Sequence, residues 1–131
     1  MPRYVWAMSD ARRALGQAAE DAAARFLRRA GLAVVERNVR FRDGELDLVC
    51  RDDDVIVFVE VKCRHASWGD APAAAVSWHK QRRLTRLAQR YLAWRRLTGA
   101  PCRFDVVAVT LDARGVLNVR HIPAAFDAVE T

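Results

Sequence analysis

The strongest constraint on the fold comes from an apolar segment that follows an acidic turn at residues 52–54. The segment runs from Val55 to Val61 and contains one charged residue, Glu60. Because side chains alternate across a strand, both faces of its first five residues are apolar. Such a pattern is typical of a central strand that is covered by helices on both sides. The chain is therefore expected to form a helix-covered sheet in which this strand ends in charged side chains.

Helical and strand patterns surround that segment. Ser9 or Asp10 is expected to cap a first helix that ends at Gly31, and a second helix is expected from near Trp78 to Leu97, closed by Gly99. The apolar stripe of the first helix is predicted at Ala11, Ala14, Leu15, Ala18, Ala22, Phe26 and Leu27. Strands are predicted at residues 32–41, 45–51, 55–64, 103–111 and 116–122, with a short terminal helix at 123–128.

The predicted element order is α-β-β-β-α-β-β, which indicates an α/β or α+β sandwich with a mixed central sheet flanked by helices. A chain of 131 residues fits a single domain over residues 1–131. Its net charge of +6 indicates attraction to polyanions such as nucleic acid. No apolar run approaches the roughly 20 residues of a membrane span, so a soluble protein without membrane contact is expected.

The compartment is expected to be cytoplasmic, because the N-terminal residues lack the pattern of a secretory signal. The three cysteines, Cys50, Cys63 and Cys102, are odd in number and far apart, so they are interpreted as buried reduced thiols.

Strand register decides whether the acidic side chains around the turn meet. If the two strands pair antiparallel, an odd sum of paired residue numbers places Asp47 on the face of Glu60 and Lys62, whereas an even sum places Asp47 opposite Val59. A carboxylate among valines costs several kcal/mol unless it is paired, so the odd register is expected. The Cβ atoms of Asp47 and Glu60 would then be about 5 Å apart, or roughly 7 Å on a diagonal. Glu45 would share that face as a secondary candidate.

Two carboxylates so close repel each other unless a cation lies between them, and oxygen ligands suit Mg²⁺ or Mn²⁺. Such a metal supports phosphodiester hydrolysis, and the Lys62 ammonium would position the nucleophile or stabilise the transition state. The alternative is that Glu60 and Lys62 form an ordinary solvated pair, with Asp47 bonded to a turn or an arginine. Arg103 and Asp105 share one strand face and are expected to form a structural salt bridge with Glu36, Arg37 or the turn acids rather than a catalytic site.

The second helix is strongly basic, since residues 78–98 contain seven Lys or Arg and no Asp or Glu. Cations four residues apart destabilise a helix, so an anionic partner such as a phosphate backbone is expected. The candidate nucleic-acid-binding residues are Lys80, Arg82, Arg83, Arg86 and Arg90. A basic amphipathic helix also occurs at membrane surfaces and in contacts with acidic proteins. The acidic site beside this helix favours nucleic acid.

The segment GELDLVCRDDDVIVFVEVKCR, at residues 44–64, resembles the defining stretch of the YraN-like bacterial proteins. The resemblance extends to GQAAEDAAARFL, KQRRLTRLAQRYL and RFDVVAV. That family is similar to archaeal Holliday junction resolvases and to the PD-(D/E)xK nuclease superfamily. By this resemblance, Asp47 and Glu60 correspond to the two acids of the motif and Lys62 to its lysine, with Leu46 in place of its proline. Glu20 corresponds to the extra helical acid of resolvase-like members.

The resemblance implies a restriction endonuclease-like core and a Mg²⁺- or Mn²⁺-dependent endonuclease that acts on DNA, branched DNA included. Asp47, Glu60 and Glu20 would bind the metal, Lys62 would assist the attacking water, and Lys80 would approach the phosphate. From its own surroundings, Glu20 either reaches this site or is a solvent carboxylate paired with a neighbour such as Arg13.

Two other functions stay open: a nucleic-acid-binding module without hydrolysis, and a protein-interaction role for the basic helix. DNA is expected ahead of RNA as the partner. Resolvase-like relatives work as homodimers, because a four-way junction has two-fold symmetry, so a homodimer is one expectation.

Overall fold

The computed structural model describes residues 3–66 and 75–130. It contains the helices and strands α1 (Arg3–Arg29), β1 (Ala33–Phe41), β2 (Gly44–Asp52), β3 (Val55–His65), α2 (Trp78–Trp94), β4 (Cys102–Leu111) and β5 (Leu117–Phe126). The strands form one five-stranded sheet in the order β1-β2-β3-β4-β5. β3 and β4 pair in parallel, and the other neighbouring strands pair antiparallel. The predicted α+β fold, its element order and its mixed sheet are therefore confirmed; the loop expected after His65 lies mostly outside the described residues.

The helices cover opposite faces of the sheet, each over its own hydrophobic core. Val57 and Val59 of β3 pack in the core under α1, whereas Ile56 and Phe58 pack in the core under α2. β3 is the middle strand of the five and contributes to both cores. The prediction of a central strand that is apolar on both faces is confirmed, and burial on both faces explains that composition.

Helix α1 begins at Arg3, so the prediction that Ser9 or Asp10 caps its start is wrong. Its end is as predicted: Gly31 has φ +98° and donates its amide to the Arg28 carbonyl at 3.1 Å, while the Leu32 amide bonds to the Leu27 carbonyl at 3.0 Å. The buried face differs from the predicted stripe and consists of Ala19, Ala22, Ala23, Ala24 and Leu27. Ala11, Ala14 and Phe26 are exposed instead.

Helix α2 is capped by Ser77, whose hydroxyl accepts a hydrogen bond from the Lys80 amide at 3.2 Å. It ends at Trp94, three residues before the predicted end at Leu97. Arg96 adopts the left-handed conformation with φ +57°, and the Leu97 amide bonds to the Leu92 carbonyl at 2.7 Å. The prediction that Gly99 closes the helix is wrong because an arginine takes the position that glycine usually occupies. No helix within residues 3–66 and 75–130 is long and apolar enough to span a membrane.

Strand β5 continues to Phe126, so the prediction of a short terminal helix at residues 123–128 is wrong. Phe126 pairs with Phe104 of β4, and their rings stack with centroids 4.9 Å apart. Hydrogen bonding and ring stacking against β4 therefore extend this segment where the local sequence pattern favours a helix.

Asp105 lies where the register between β4 and β5 shifts, and it is fully buried. Its carboxylate accepts hydrogen bonds from the Arg103 side chain at 3.0 Å and from the Ala124 amide at 2.9 Å, and the His121 ring lies 2.7 Å away. Arg103 also contacts Asp52 in the acidic turn at 3.0 Å. The predicted salt bridge to a turn acid is confirmed by Arg103 and Asp52, whereas Asp105 pairs with Arg103 rather than with Arg37.

The cysteines differ in their exposure. Cys50 is buried, Cys63 is half-buried and Cys102 is exposed, so the prediction of three buried thiols holds for Cys50 alone. Burial raises the pKa of the Cys50 thiol to about 12, with the nearby Asp105 charge acting in the same direction. That thiol is therefore protonated at neutral pH and behaves as a small apolar side chain.

Candidate metal centre

β2 and β3 pair in the odd register that the sequence predicts. Leu48 lies opposite Val59, and Asp52 lies opposite Val55. The pairing ends at Leu48, and the next step along the ladder would place Asp47 opposite Glu60. Beyond the end of the pairing, the Val61 amide donates its hydrogen bond to Oδ2 of the Asp47 carboxylate at 2.8 Å. Asp47 is thus anchored to the end of the central strand.

The side chains of β2 break their alternation at Asp47. Leu46 and Val49 pack in the core under α2, whereas Leu48 packs in the core under α1. Asp47 also lies on the α1 side, beside Glu20. Two successive side chains, Asp47 and Leu48, therefore face α1. Leu46 and Leu48 therefore lie on opposite faces of the sheet, whereas a regular strand would place them on the same face.

Three carboxyl groups meet at this break. One oxygen each of Glu20, Glu45 and Asp47 lies within 4.8 Å of the others, and all three residues are half-buried. We call this set the acidic trio; α1 supplies its first member and β2 the other two. Glu45, predicted as a secondary candidate, belongs to it. Glu60 lies outside the trio. Its Oε1 forms an ion pair with the Lys80 ammonium, at a distance of 2.6 Å.

Burial and mutual repulsion disfavour full ionisation of this group. Burial, followed by the charge of Glu60, raises the pKa of Asp47 to about 7, and Glu20 adds to the effect. The Val61 amide and Lys80 act in the opposite direction. Burial also raises the pKa of Glu20, while the neighbouring Asn38 side chain acts in the opposite direction. Without a further cation, the centre therefore favours a protonated Asp47 over a full set of ionised carboxylates.

The acidic trio offers the carboxylate oxygen ligands that a divalent cation requires, and a bound cation would neutralise the repulsion between them. Glu20 Oε1 is buried and has no hydrogen-bond partner among the described residues. Its nearest cation is Arg37, whose Nη2 lies 4.0 Å away and is 2.7 Å from Asp21. A hard cation such as Mg²⁺ or Mn²⁺ takes carboxylate oxygens of this kind. Glu20 thus faces the centre and is not paired with Arg13 at the surface.

A cleft of about 460 Å³ gives access to this region. It is lined by Arg13, Gly16, Gln17, Glu20, Asn38, Arg40 and Glu45. Arg40 stands at its rim and pairs with Glu45 at 3.2 Å, although the Arg40 side chain is 81% exposed. Such an exposed pair is weak, so Glu45 keeps the capacity to bind a cation.

The two predicted lysines have other partners. Lys62 donates a hydrogen bond to the carbonyl oxygen of Ala75, in the segment that leads into α2. Lys80 neutralises Glu60, which is 7% exposed. Lys80 therefore joins α2 to the end of β3, a tertiary contact that strand patterns in the sequence do not reveal.

The basic face of α2 is partly neutralised within the chain. Arg86 and Arg90 both pair with Asp43 in the turn between β1 and β2, with the Arg86 contact at 4.0 Å. The anionic partner inferred for this cation series is therefore supplied in part by Asp43. The Arg82 guanidinium lies 5.5 Å from the centre of the Trp78 ring. Arg83 is exposed, and its side-chain carbons lie against Gly44.

The sequence comparisons decide the family. A family model described as "Uncharacterised protein family UPF0102" matches residues 19–109. The chain belongs to the UPF0102 family. The predicted resemblance to YraN-like proteins is confirmed at this level. The matched range includes the acidic trio and all of α2.

Several UPF0102 proteins are similar over nearly their whole length. The UPF0102 protein STH1475 of Symbiobacterium thermophilum is 50% identical over 116 residues, which are 88% of this chain and 98% of the relative. A UPF0102 protein of Myxococcus xanthus is 50% identical over 119 residues, covering 89% of this chain and 92% of the relative. The UPF0102 protein Francci3_3586 of Frankia casuarinae is 43% identical over 116 residues, covering 88% and 98%.

Proposed function

We propose that this UPF0102 protein is a Mg²⁺- or Mn²⁺-dependent endonuclease that hydrolyses phosphodiester bonds in DNA, branched DNA included. The observation that carries the proposal is the convergence of three carboxylate oxygens within 4.8 Å, one of them on a glutamate with a buried, unpartnered oxygen. The resemblance of this chain to PD-(D/E)xK nucleases supports the same chemistry.

Glu20, Glu45 and Asp47 would hold the cation, with Glu60 next to them. A bound divalent cation lowers the pKa of a water and polarises a phosphoryl oxygen. The Val61 amide fixes one oxygen of Asp47, so that carboxylate is oriented before a cation arrives. Lys62 is the donor for negative charge that develops on the phosphate, once its ammonium leaves the Ala75 carbonyl. The exposed cations of α2 would hold the nucleic-acid backbone.

A second candidate is a nucleic-acid-binding module that does not hydrolyse its ligand. The contacts of the lysines favour it: Lys62 is bonded to a backbone carbonyl, and Lys80 neutralises Glu60. In that arrangement two predicted catalytic groups, Lys62 and Glu60, are satisfied by the protein itself.

The test is cleavage of branched, flap, single-stranded and duplex DNA, and of matched RNA, with Mg²⁺ or Mn²⁺. Asp47→Asn and Lys62→Met are expected to abolish cutting. Asp53→Asn is the matched control, because this exposed turn residue has φ +53°, a conformation that asparagine also tolerates. The nuclease proposal fails if the wild type cuts nothing or if all variants cut equally well. Salt-sensitive binding without cutting would instead support the binding module.

A further inference from the structure

Asn38 stands opposite Asp47 on the neighbouring strand. It lies between the paired residues Arg37–Leu48 and Val39–Leu46 of β1 and β2. Its backbone is left-handed, with φ +53°, in the middle of β1. Such a conformation is uncommon for a residue other than glycine, although asparagine tolerates it better than most.

The left-handed residue coincides with a break in the alternation of β1. Arg37 contacts Asp21 of α1, and Asn38 lines the same cleft as Gly16 and Glu20 of α1. Val39 then packs in the core under α2. Two successive side chains of β1 therefore face α1, as two successive side chains of β2 do at the facing positions. The paired breaks turn Asn38 and Asp47 toward the same helix.

The chemistry of asparagine suits this place. Its carboxamide offers two N–H donors, which a carboxylate acceptor such as Glu20 requires. Residues that hydrogen-bond a metal ligand orient it, and losing one typically weakens metal binding about 10–100-fold. Asn38 also lines the cleft that leads to Glu20 and Glu45.

We propose that Asn38 is a positioning residue of the metal centre: its left-handed backbone turns the carboxamide toward α1, and the carboxamide holds Glu20 in the orientation that binds Mg²⁺ or Mn²⁺ together with Asp47. The inference rests on the metal centre of the proposed function. It assigns to Asn38 a contact with Glu20 and no contact with the reacting phosphate.

The test is titration of the full chain with Mn²⁺, followed by calorimetry and by electron paramagnetic resonance of the free ion. Asn38→Gly removes the carboxamide and keeps the backbone conformation, because glycine adopts positive φ without strain. Its Mn²⁺ affinity is expected to fall about 10–100-fold, with saturation still reached at high Mn²⁺. Asn118→Gly is the matched control, since Asn118 is an exposed residue of β5, and its affinity should equal that of the wild type.

A double-mutant cycle shows whether Asn38 acts through Glu20. In a Glu20→Gln background, Asn38→Gly should cause little further loss of affinity, since coupled residues are not additive. Asn38→Ala is the second variant if the glycine variant folds poorly, and its affinity should fall at least as far. If the wild type binds no Mn²⁺, both the proposed metal centre and this inference are wrong. If the wild type binds and Asn38→Gly binds equally well, or if the two losses are additive, the inference alone is wrong.

Discussion

Replacing Asp47 by asparagine should stabilise the metal-free protein at alkaline pH. Burial and the neighbouring carboxylates raise the pKa of Asp47 from its ordinary value of 3.8 to about 7. In the folded state the group therefore holds its proton at pH values where the unfolded chain has released it. Because the native state binds more protons in this window, stability falls as pH rises from about 4 to about 7.

The magnitude follows from the size of the shift. One pKa unit corresponds to about 1.4 kcal/mol, so a rise from 3.8 to about 7 corresponds to about 4 kcal/mol as an upper value. Asparagine imitates the protonated acid, and its carbonyl oxygen can still accept the hydrogen bond from the Val61 amide. Asp47→Asn should therefore exceed the wild type in stability by about 2–4 kcal/mol at pH 8 and by much less at pH 4.

The assay is urea unfolding in the presence of a chelator at several pH values, with Asp53→Asn as the control at an exposed acid. The quantity compared is the difference in unfolding free energy between variant and wild type, because other groups also titrate. Saturating Mn²⁺ should stabilise the wild type more at pH 8 than at pH 5. The stabilisation by Mn²⁺ should be smaller for Asp47→Asn than for the wild type. A difference between Asp47→Asn and wild type that does not grow with pH would refute the reasoning.

Three further predictions concern the surroundings of the centre. Lys80→Met should lower the unfolding free energy at pH 8 by about 1–3 kcal/mol in urea denaturation, because it leaves the buried Glu60 carboxylate without its ion pair; unchanged stability would contradict the contact. Gly44→Ala should lower the thermal midpoint by an amount equivalent to about 1–3 kcal/mol, since its Cβ would lie 3.0 Å from a side chain of α2 at φ +156°. Arg83→Glu should weaken DNA binding and should reduce the slope of log affinity against log salt concentration by about one. Arg28→Glu on α1 should leave both the affinity and the slope unchanged. Equal effects of the two substitutions would argue against α2 as the contact surface.

The element order and the register of the central strands follow from the sequence, because both depend on local chemistry. An apolar strand with two buried faces has to be central, and a short acidic turn leaves few registers for the strands that it joins. The expected odd register is confirmed, but the reason for it is wrong, because Asp47 lies on the α1 side that Val57 and Val59 share. The end of α2 at Trp94 was missed because the left-handed residue that follows it, Arg96, is an arginine and gives no glycine signal.

The geometry of the site is harder to read from the sequence. Period-two alternation placed Asp47 and Glu60 on one face, whereas the structure groups Asp47 with Glu20 of α1 and pairs Glu60 with Lys80 of α2. The break in alternation at Asp47 lies beside the left-handed Asn38 of β1, and a single asparagine in an otherwise regular pattern does not predict such a break. The resemblance predicted Glu20 as a site residue, while the proximity of Glu45 to Glu20 required three-dimensional packing.

The ion pairs of Asp43 with Arg86 and Arg90 make the basic helix a surface that already holds an anion. A phosphate that binds these arginines has to displace the Asp43 carboxylate, so binding there is an exchange of one anion for another. The displaced turn leads directly into Gly44 and Glu45, the first residues of β2. Phosphate binding at α2 and the position of Glu45 are therefore coupled. Binding of a phosphate at α2 should change the affinity of the centre for a metal ion, and the metal ion should change the affinity for phosphate by the same factor.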